Sequence, residues 1–112
     1  MTVDERTRKI ARNQAMYREA NERIQDLNEA FGTFSGEFLV VCECPEQLCT
    51  QQIPVSPKAY EGIRADPAQF IVRSGHQAID VEEIVRTEAT YVVVRKHEGE
   101  PARLAEKTDP RH

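Results

Sequence analysis

Three cysteines lie close together in the first half of the chain. They occupy positions Cys42, Cys44 and Cys49, a C-x-C-x4-C cluster at the end of an apolar run. Zinc in proteins prefers four tetrahedral nitrogen or sulfur ligands, and three thiolates from one loop can reach a single ion where the backbone turns back. Pro45 and the residues after it permit such a turn. The cluster therefore predicts three of the four ligands of a zinc site.

The fourth ligand has to come from another part of the chain. His76 is the best candidate, because it follows a Ser-Gly pair directly after an apolar run, where a turn can direct an imidazole towards a neighbouring strand end. His97 and His112 lie in or near the C-terminal tail and are weaker candidates. If His76 instead binds a backbone carbonyl, then water, Glu43 or another histidine completes the site, and an open metal position would point to catalysis. We predict one structural zinc ion held by Cys42, Cys44, Cys49 and His76.

Two other interpretations of the cysteines stay open. Buried thiols are inert and can pack in a core without any metal. Reactive thiols would instead be oxidised, and loss of zinc from the oxidised site would make the protein a redox switch. Disulfides are not expected, because three cysteines cannot pair evenly and the first residues show no secretion signal. The cytoplasm is the expected compartment.

The residues around the cysteines do not form a recognisable catalytic motif. A zinc deaminase needs a His-x-Glu and a C-x-x-C on helices, whereas this C-x-C follows a predicted strand. Glu43 alternates with the ligands on either side, so in extended backbone its side chain points away from the ion. Ser74 lacks a nucleophile elbow and a nearby orienting acid. We therefore expect a protein that is not an enzyme.

A long helix precedes the cluster. Residues 3–31 contain neither Gly nor Pro and are rich in Ala, Arg, Glu and Gln. Thr2 and Glu5 have the spacing of a capping box, and Gly32 can end the helix in a left-handed conformation. The apolar residues repeat with heptad spacing. One heptad position holds Ile10, Tyr17, Ile24 and Phe31, and the other holds Ala20 and Leu27 with polar Asn13.

This apolar stripe has to be buried against something. A small sheet cannot cover a helix of roughly 43 Å, so we expect the C-terminal half, with Ile24, Leu27 and Phe31, to pack on the body of the protein. For Ile10 and Tyr17 in the N-terminal half, packing within the monomer is favoured. The alternatives are an unknown protein partner that docks on this half and a homodimer.

Strand and helix patterns alternate through the rest of the chain. Ser56 and Pro57 begin a short helix that continues over residues 58–65, and the chain after His97 is expected to be frayed. Strands are expected at residues 38–42, 52–55, 70–72, 81–85 and 91–94. The sequence thus predicts an α+β fold, with a long amphipathic helix (1–32), a zinc-binding body made of a small, mainly antiparallel sheet and one short helix (33–97), and a flexible tail (98–112).

Several pieces of the chain together carry a resemblance. They are residues 18–24, the Cys42-x-Cys44 pair with Cys49, residues 60–70, the Gly75-His76 pair, residues 91–94 and residues 109–111. Over nearly its whole length the chain is similar to an uncharacterised family of short, mostly actinobacterial proteins. The resemblance implies a helix followed by a zinc-binding body and supports His76 as a ligand, but it implies no activity.

The charge balance limits the class of partner. The net charge of −4 does not favour a polyanion, although a local basic face is formed by Arg6, Arg8, Lys9 and Arg12. No apolar run approaches the roughly 18–20 residues that span a bilayer, so no membrane association is expected. We expect a zinc-binding regulatory or adaptor protein that acts through protein–protein contacts. A redox-sensing zinc–thiolate switch and a nucleic-acid-associated zinc protein are the alternatives.

Overall fold

Three helices and five strands make up the described part of the chain, which comprises residues 3–30, 36–46 and 48–111 of a computed structural model. In chain order they are α1 (Val3–Ala30), β1 (Phe38–Val41), β2 (Gln52–Val55), α2 (Pro57–Arg64), β3 (Gln69–Val72), β4 (Glu82–Thr87), β5 (Val92–Lys96) and α3 (Glu100–Lys107). The predicted α+β class is confirmed. None of the helices within these residues is long and apolar enough to cross a membrane.

The strands form two antiparallel sheets where the sequence analysis expected one. In the first sheet β1 pairs with β2, and in the second β5 lies between β3 and β4. The chain leaves β1 after Val41 and forms the cysteine loop, which is the connection from β1 to β2 that contains all three cysteines. For this reason β1 does not continue alongside the second sheet. A backbone hydrogen bond of 2.8 Å from the Glu43 N–H to the Ile71 carbonyl connects the loop to β3. The two sheets thus meet next to the cysteines.

The main apolar core lies between the two sheets and α2. The ring of Tyr60 packs edge-on against Phe38, with 5.6 Å between the ring centroids. Ser56 caps α2 by accepting a hydrogen bond from the Ala59 N–H, which confirms the predicted start of this helix. The same core contains Phe38, Val40, Cys42, Cys44, Ile53, Val55, Tyr60, Ile63, Phe70, Ile71, Val72 and residues 91–94. Two of the three cysteines, Cys42 and Cys44, are therefore part of the core.

The face of α1 that packs on the body is polar. Its buried residues recur three and four positions apart, which is the period of one helix face. They are Thr7, Ile10, Asn13, Gln14, Arg18, Asn21 and Gln25. Ile24 is partly buried against the core as expected, but Leu27 is 57% exposed, so its predicted packing on the body is wrong. Thr2, Phe31 and Gly32 lie outside the described residues.

The N-terminal half of α1 is held against the body. Ile10 packs with Ala78 and Val81 in a second, smaller apolar cluster. One turn earlier, the Arg6 guanidinium donates to the Asp80 carboxylate at 2.8 Å. Ile10 therefore packs within the monomer, which was the favoured expectation for this residue.

A third helix occupies the segment after residue 98, where the sequence analysis expected a flexible tail. That expectation is wrong for α3, whose first turn contains Pro101 and whose Ala102 and Ala105 are buried. Arg18 of α1 donates to the Ala105 carbonyl at 2.6 Å. The helix forms because two alanines three positions apart give it an apolar face that docks on α1. His112 lies outside the described residues.

Candidate metal centre

Four potential ligand atoms meet where the two sheets approach each other. Cys42 follows β1 directly, Cys44 lies in the loop, Cys49 precedes β2, and His76 follows β3. Their sulfur and ring nitrogen atoms all lie within 4.8 Å of one another. The structure therefore brings together the four residues that the spacing of Cys and His predicted, and the cluster is compatible with one metal site.

Two distances from His76 to the cysteine sulfurs match those between the ligands of a tetrahedral ion. The Nδ1 atom of His76 lies 3.5 Å from the Cys42 sulfur and 3.7 Å from the Cys49 sulfur. Metal–sulfur bonds of about 2.3 Å and metal–nitrogen bonds of about 2.05 Å at tetrahedral angles place such atoms about 3.6 Å apart. Three thiolates and one imidazole are also a common donor set for zinc. The residues present thus fit this ion in both chemistry and spacing.

The backbone of the cysteine loop is fixed by hydrogen bonds at both ends. The Cys42 N–H donates to the Gln51 carbonyl at 3.0 Å, which extends the pairing of β1 and β2 by one step. The Cys49 N–H donates to the Glu46 carbonyl at 3.2 Å, which closes a turn before β2. The chain therefore doubles back between Cys44 and Cys49, as the sequence analysis required for three ligands from one loop.

A tight turn places His76 opposite the cysteine loop. The His76 N–H donates to the Arg73 carbonyl at 3.0 Å, and Gly75 inside this turn has a φ of 90°. A residue with a Cβ rarely adopts that conformation, so glycine is the residue that this turn requires. The Ser-Gly pair before the histidine was the sequence signal for this geometry.

Backbone N–H groups support the thiolate form of each cysteine. The Arg73 N–H donates to the Cys42 sulfur at 3.2 Å, and the N–H groups of Glu46 and Gln51 donate to Cys44 and Cys49, respectively. The hydrogen bond from the Cys42 thiol, and then the bond from Glu46, lower the pKa of Cys44 to about 5. The same shared hydrogen bond, followed by burial, raises the pKa of Cys42. A metal cation favours the thiolate at every position, so it would take the place of the shared proton.

Glu43 lies between two of the cysteines with its carboxylate turned away from them. The side chain is fully buried, and it accepts hydrogen bonds from Asn21 Nδ2 at 2.8 Å and from the Ile71 N–H at 3.1 Å. Burial raises the pKa of Glu43. The predicted orientation of Glu43 is confirmed. The carboxylate joins the loop to α1 and β3, and it is not part of the ligand cluster.

Side chains of α1 bind the backbone at the end of β1 and in the cysteine loop. Asn21 both donates to the Val41 carbonyl and accepts from the Val41 N–H, each at 2.8 Å. Three more side chains donate to loop carbonyls: Asn13 to Pro45 at 2.8 Å, Gln14 to Glu43 at 3.2 Å and Tyr17 to Glu46 at 2.8 Å. The sequence analysis placed Asn13 and Tyr17 on the heptad stripe but did not predict these contacts, because it followed the apolar pattern. The signal available was the recurrence of Asn and Gln at helical spacing.

Gln14 also connects the loop to a buried ion pair in the second sheet. Its Nε2 lies 3.1 Å from the Glu82 carboxylate, which in turn accepts a hydrogen bond of 2.8 Å from Lys96 Nζ. Both members of the pair are almost completely buried, and burial lowers the pKa of Lys96. Removing either partner would leave an uncompensated charge in the core, which is strongly destabilising. The polar side of α1 is therefore part of the folded core.

The remaining candidate residues lie outside the cluster. His97 is exposed beyond the end of β5. Among the basic residues of α1, Arg6 is paired with Asp80. Comparisons of the chain with protein-family models, with curated proteins and with solved structures returned no match. The functional assignment therefore depends on the chemistry and geometry of the site.

Proposed function

We propose that Cys42, Cys44, Cys49 and His76 bind one zinc ion whose role is structural. The observation that carries this proposal is the convergence of all four donor atoms within 4.8 Å. Four protein ligands complete a tetrahedral shell, and closed sites of this kind are typical of structural zinc, whereas catalytic zinc keeps one position for water or substrate. The ion would tie the cysteine loop to the turn after β3, and so hold the two sheets together.

The zinc-stabilised body serves as a scaffold, and the protein acts as an adaptor or regulatory module through protein–protein contacts. Support comes from α1, which has 28 residues and presents Met16 and Leu27 to solvent while its polar side packs on the body. Ile10 is not part of this surface, because it is buried. The contact surface is thus the outer side of α1 rather than its N-terminal half.

The zinc proposal is tested by metal analysis of the protein purified without added metal. We expect one zinc per chain, and we expect removal of zinc by a chelator to unfold the body, since structural zinc contributes on the order of 10–16 kcal/mol in small domains. Cobalt exchanged into the site should give the absorption of a tetrahedral centre with thiolate ligands. A metal-free protein that keeps its folded structure would contradict the proposal.

We also propose a redox switch as a second candidate function, favoured by the position of Cys49. Cys42 and Cys44 are buried, but Cys49 is partly exposed and lines, with His76, a surface depression of about 310 Å³. Hydrogen peroxide is the oxidant considered. The Cys49 thiolate attacks one peroxide oxygen, the O–O bond breaks, and hydroxide leaves as water after taking up a proton. A second thiolate then displaces hydroxide from the sulfenic acid, and the resulting disulfide releases zinc.

Titration with peroxide while zinc release is monitored tests the switch. We expect release at micromolar to millimolar peroxide and recovery of zinc binding after reduction. The reference is the zinc-loaded protein kept for the same time without peroxide, which should release no zinc. Full retention of zinc at millimolar peroxide would exclude this function and leave the structural proposal intact.

A further inference from the structure

The outward face of α1 carries an uncovered row of apolar side chains. Met16 and Leu27 are 54% and 57% exposed, and Ala20 is exposed. Ile24 is half-buried at the edge of this row, because it also packs against the main core. Positions 16, 20, 24 and 27 follow one another at helical spacing, so the side chains form one stripe along the helix. The stripe includes a depression of about 410 Å³. Single exposed apolar residues are ordinary on a protein surface, but a continuous row at helical spacing is typical of a helix-docking surface.

The order of residues in this stripe makes it complementary to itself. If two copies of α1 pack antiparallel about a two-fold axis that crosses the stripe at the height of residues 21 and 22, Met16 of one copy lies opposite Leu27 of the other, and Ala20 lies opposite Ile24. The small side chain of Ala20 therefore meets a large one, and each long side chain at one end of the stripe meets a long one at the other. A two-fold axis repeats each of these contacts.

The charges beside the stripe fit the same arrangement. Glu19 and Arg23 lie on one flank, where they form an exposed ion pair of 3.0 Å within the helix. The antiparallel axis places Glu19 of each copy beside Arg23 of the other, so opposite charges meet twice. In a parallel two-fold pair the two copies of this flank lie on opposite sides of the contact, so Glu19 of one copy does not face Arg23 of the other. Charge complementarity thus selects the antiparallel arrangement.

We propose that the outer face of α1 binds a second copy of this chain in an antiparallel, two-fold helix pair. The contact uses about three turns of one helix, which is small beside the roughly 1,200–2,000 Å² of stable interfaces. The dimer is therefore weak, with a dissociation constant on the order of micromolar to hundreds of micromolar. The proposal rests on the protein–protein contact proposed above for the same side of α1, and it names a second copy of this chain as the partner. The zinc site does not take part, so the proposal stands independently of the metal's identity.

Sedimentation velocity over a range of protein concentrations tests the dimer with two charge-reversed variants. Glu19→Arg alone places arginine opposite arginine in the homodimer, and Arg23→Glu alone places glutamate opposite glutamate. Each variant by itself is expected to weaken the dimer about tenfold or more. An equimolar mixture is expected to restore dimerisation, because every arginine of one variant then faces a glutamate of the other.

Two controls separate this result from loss of structure. Arg8→Glu changes the charge of the same helix by the same amount at an exposed position away from the stripe, and it is expected to dimerise like the wild type. All variants should keep the metal content and the helical circular dichroism of the wild type. If the wild type stays monomeric up to about 1 mM, far above the expected dissociation constant, this face of α1 does not bind a second copy and the proposal is wrong. Charge variants that dimerise unchanged, or a mixture that fails to recover, would overturn the antiparallel arrangement.

Discussion

The histidine and cysteine ligands of the cluster differ in charge and in the type of donor atom that they provide. His76→Ala removes a neutral imidazole, and a water molecule can take its place on the ion, whereas Cys49→Ser removes a negative charge and a soft sulfur donor. We therefore expect Cys49→Ser to weaken zinc binding at least about tenfold more than His76→Ala, a difference of about 1.4 kcal/mol or more. Competition with a chromogenic chelator measures both affinities.

The matched control for His76 is His97→Ala. His97 is exposed and outside the cluster, so this variant should bind zinc like the wild type. If His76→Ala also bound zinc as tightly as the wild type, the fourth coordination position would belong to a different ligand.

Glu43 is expected to be the residue of the cysteine loop that least tolerates a conservative change. Both carboxylate oxygens accept from donors, and Asn21 cannot reverse its amide because both of its amide atoms are bound to Val41. Glu43→Gln would place an NH2 group against one of these donors, either the Asn21 amide or the Ile71 N–H. We expect a loss of about 1–3 kcal/mol in the free energy of unfolding, measured by urea denaturation of the zinc-loaded protein.

The control for Glu43→Gln lies in the same loop. Glu46→Gln makes the same chemical change at an exposed side chain, and its effect should stay within about 0.5 kcal/mol. Equal stability of the two variants would mean that the buried carboxylate contributes nothing specific.

At the level of single residues, the ligands were predictable and their support was not. The C-x-C-x4-C spacing and a histidine after a glycine turn contain most of the information needed for the cluster. The orientation of Glu43 followed from strand alternation. Asn21 and Gln14, however, find their hydrogen-bond partners 20 or more positions away along the chain. Burial of such residues depends on tertiary contacts that no local pattern specifies.

Among the elements, α1 was predictable as a helix but not in the face that it buries. Its composition and the absence of Gly and Pro determine the helix itself. The heptad pattern then favoured burial of the apolar row that includes Leu27, yet the body presents carbonyls and charged groups at this place. Arg18 satisfies the Pro67 and Ala105 carbonyls at 2.6 Å each while its guanidinium packs over the ring of Phe70 at 4.3 Å. Hydrogen-bonded polar groups can replace an apolar contact in a helix interface. The pairing is incomplete, because Arg18 Nε and the amide oxygens of Gln14 and Gln25 are buried without a hydrogen-bond partner among the described residues.

Ion pairs with pH-dependent strength are expected to bind the segment after α3 to the body. Hydrogen bonding to Arg111 lowers the pKa of Glu61. Burial raises the pKa of Asp109, but hydrogen bonds from the Arg111 N–H and from Arg64 outweigh it, and the pKa is lowered. A carboxyl group whose pKa is lower in the folded than in the unfolded protein stabilises the folded state. This stabilisation is complete above the pKa of the unfolded chain, which is about 3.9 for Asp and 4.3 for Glu. It is lost as the pH falls through the pKa of the folded state.

We therefore expect Arg111→Gln to destabilise the protein by about 1 kcal/mol at neutral pH and by progressively less as the pH falls below about 4. The measurement is the difference in thermal midpoint between the variant and the wild type across that pH range, with equal metal content in both. Arg103→Gln, which changes an exposed arginine of α3, should show a small difference at every pH. A difference between Arg111→Gln and the wild type that stays constant down to pH 3.5 would contradict the ion-pair explanation, since the unfolded carboxyl values lie at about 4.

On the scale of the whole molecule, α1 spans the structure from end to end. The principal extents are 45, 28 and 24 Å, and a helix of 28 residues at about 1.5 Å per residue is about 42 Å long. The α+β class and the order of the first seven elements were predictable from the sequence, because each has its own local signal. The division into two sheets and the docking of α3 were not, since both depend on contacts with α1 and the cysteine loop.

Ile10 and Met16 allow a direct test of whether the N-terminal half of α1 is core or arm. Ile10 is 5% exposed against Ala78 and Val81, whereas Met16, about 120° away around the helix, is 54% exposed. We expect Ile10→Ala to lower the free energy of unfolding by about 2–4 kcal/mol, because it removes buried methyl groups and leaves a cavity. Met16→Ala should change it by about 0.5 kcal/mol or less. The comparison requires dilute protein, at which α1 does not pair with a second copy. Equal stability of the two variants would mean that this half of α1 contributes little to the fold, and that the buried cluster around Ile10 does not persist in solution.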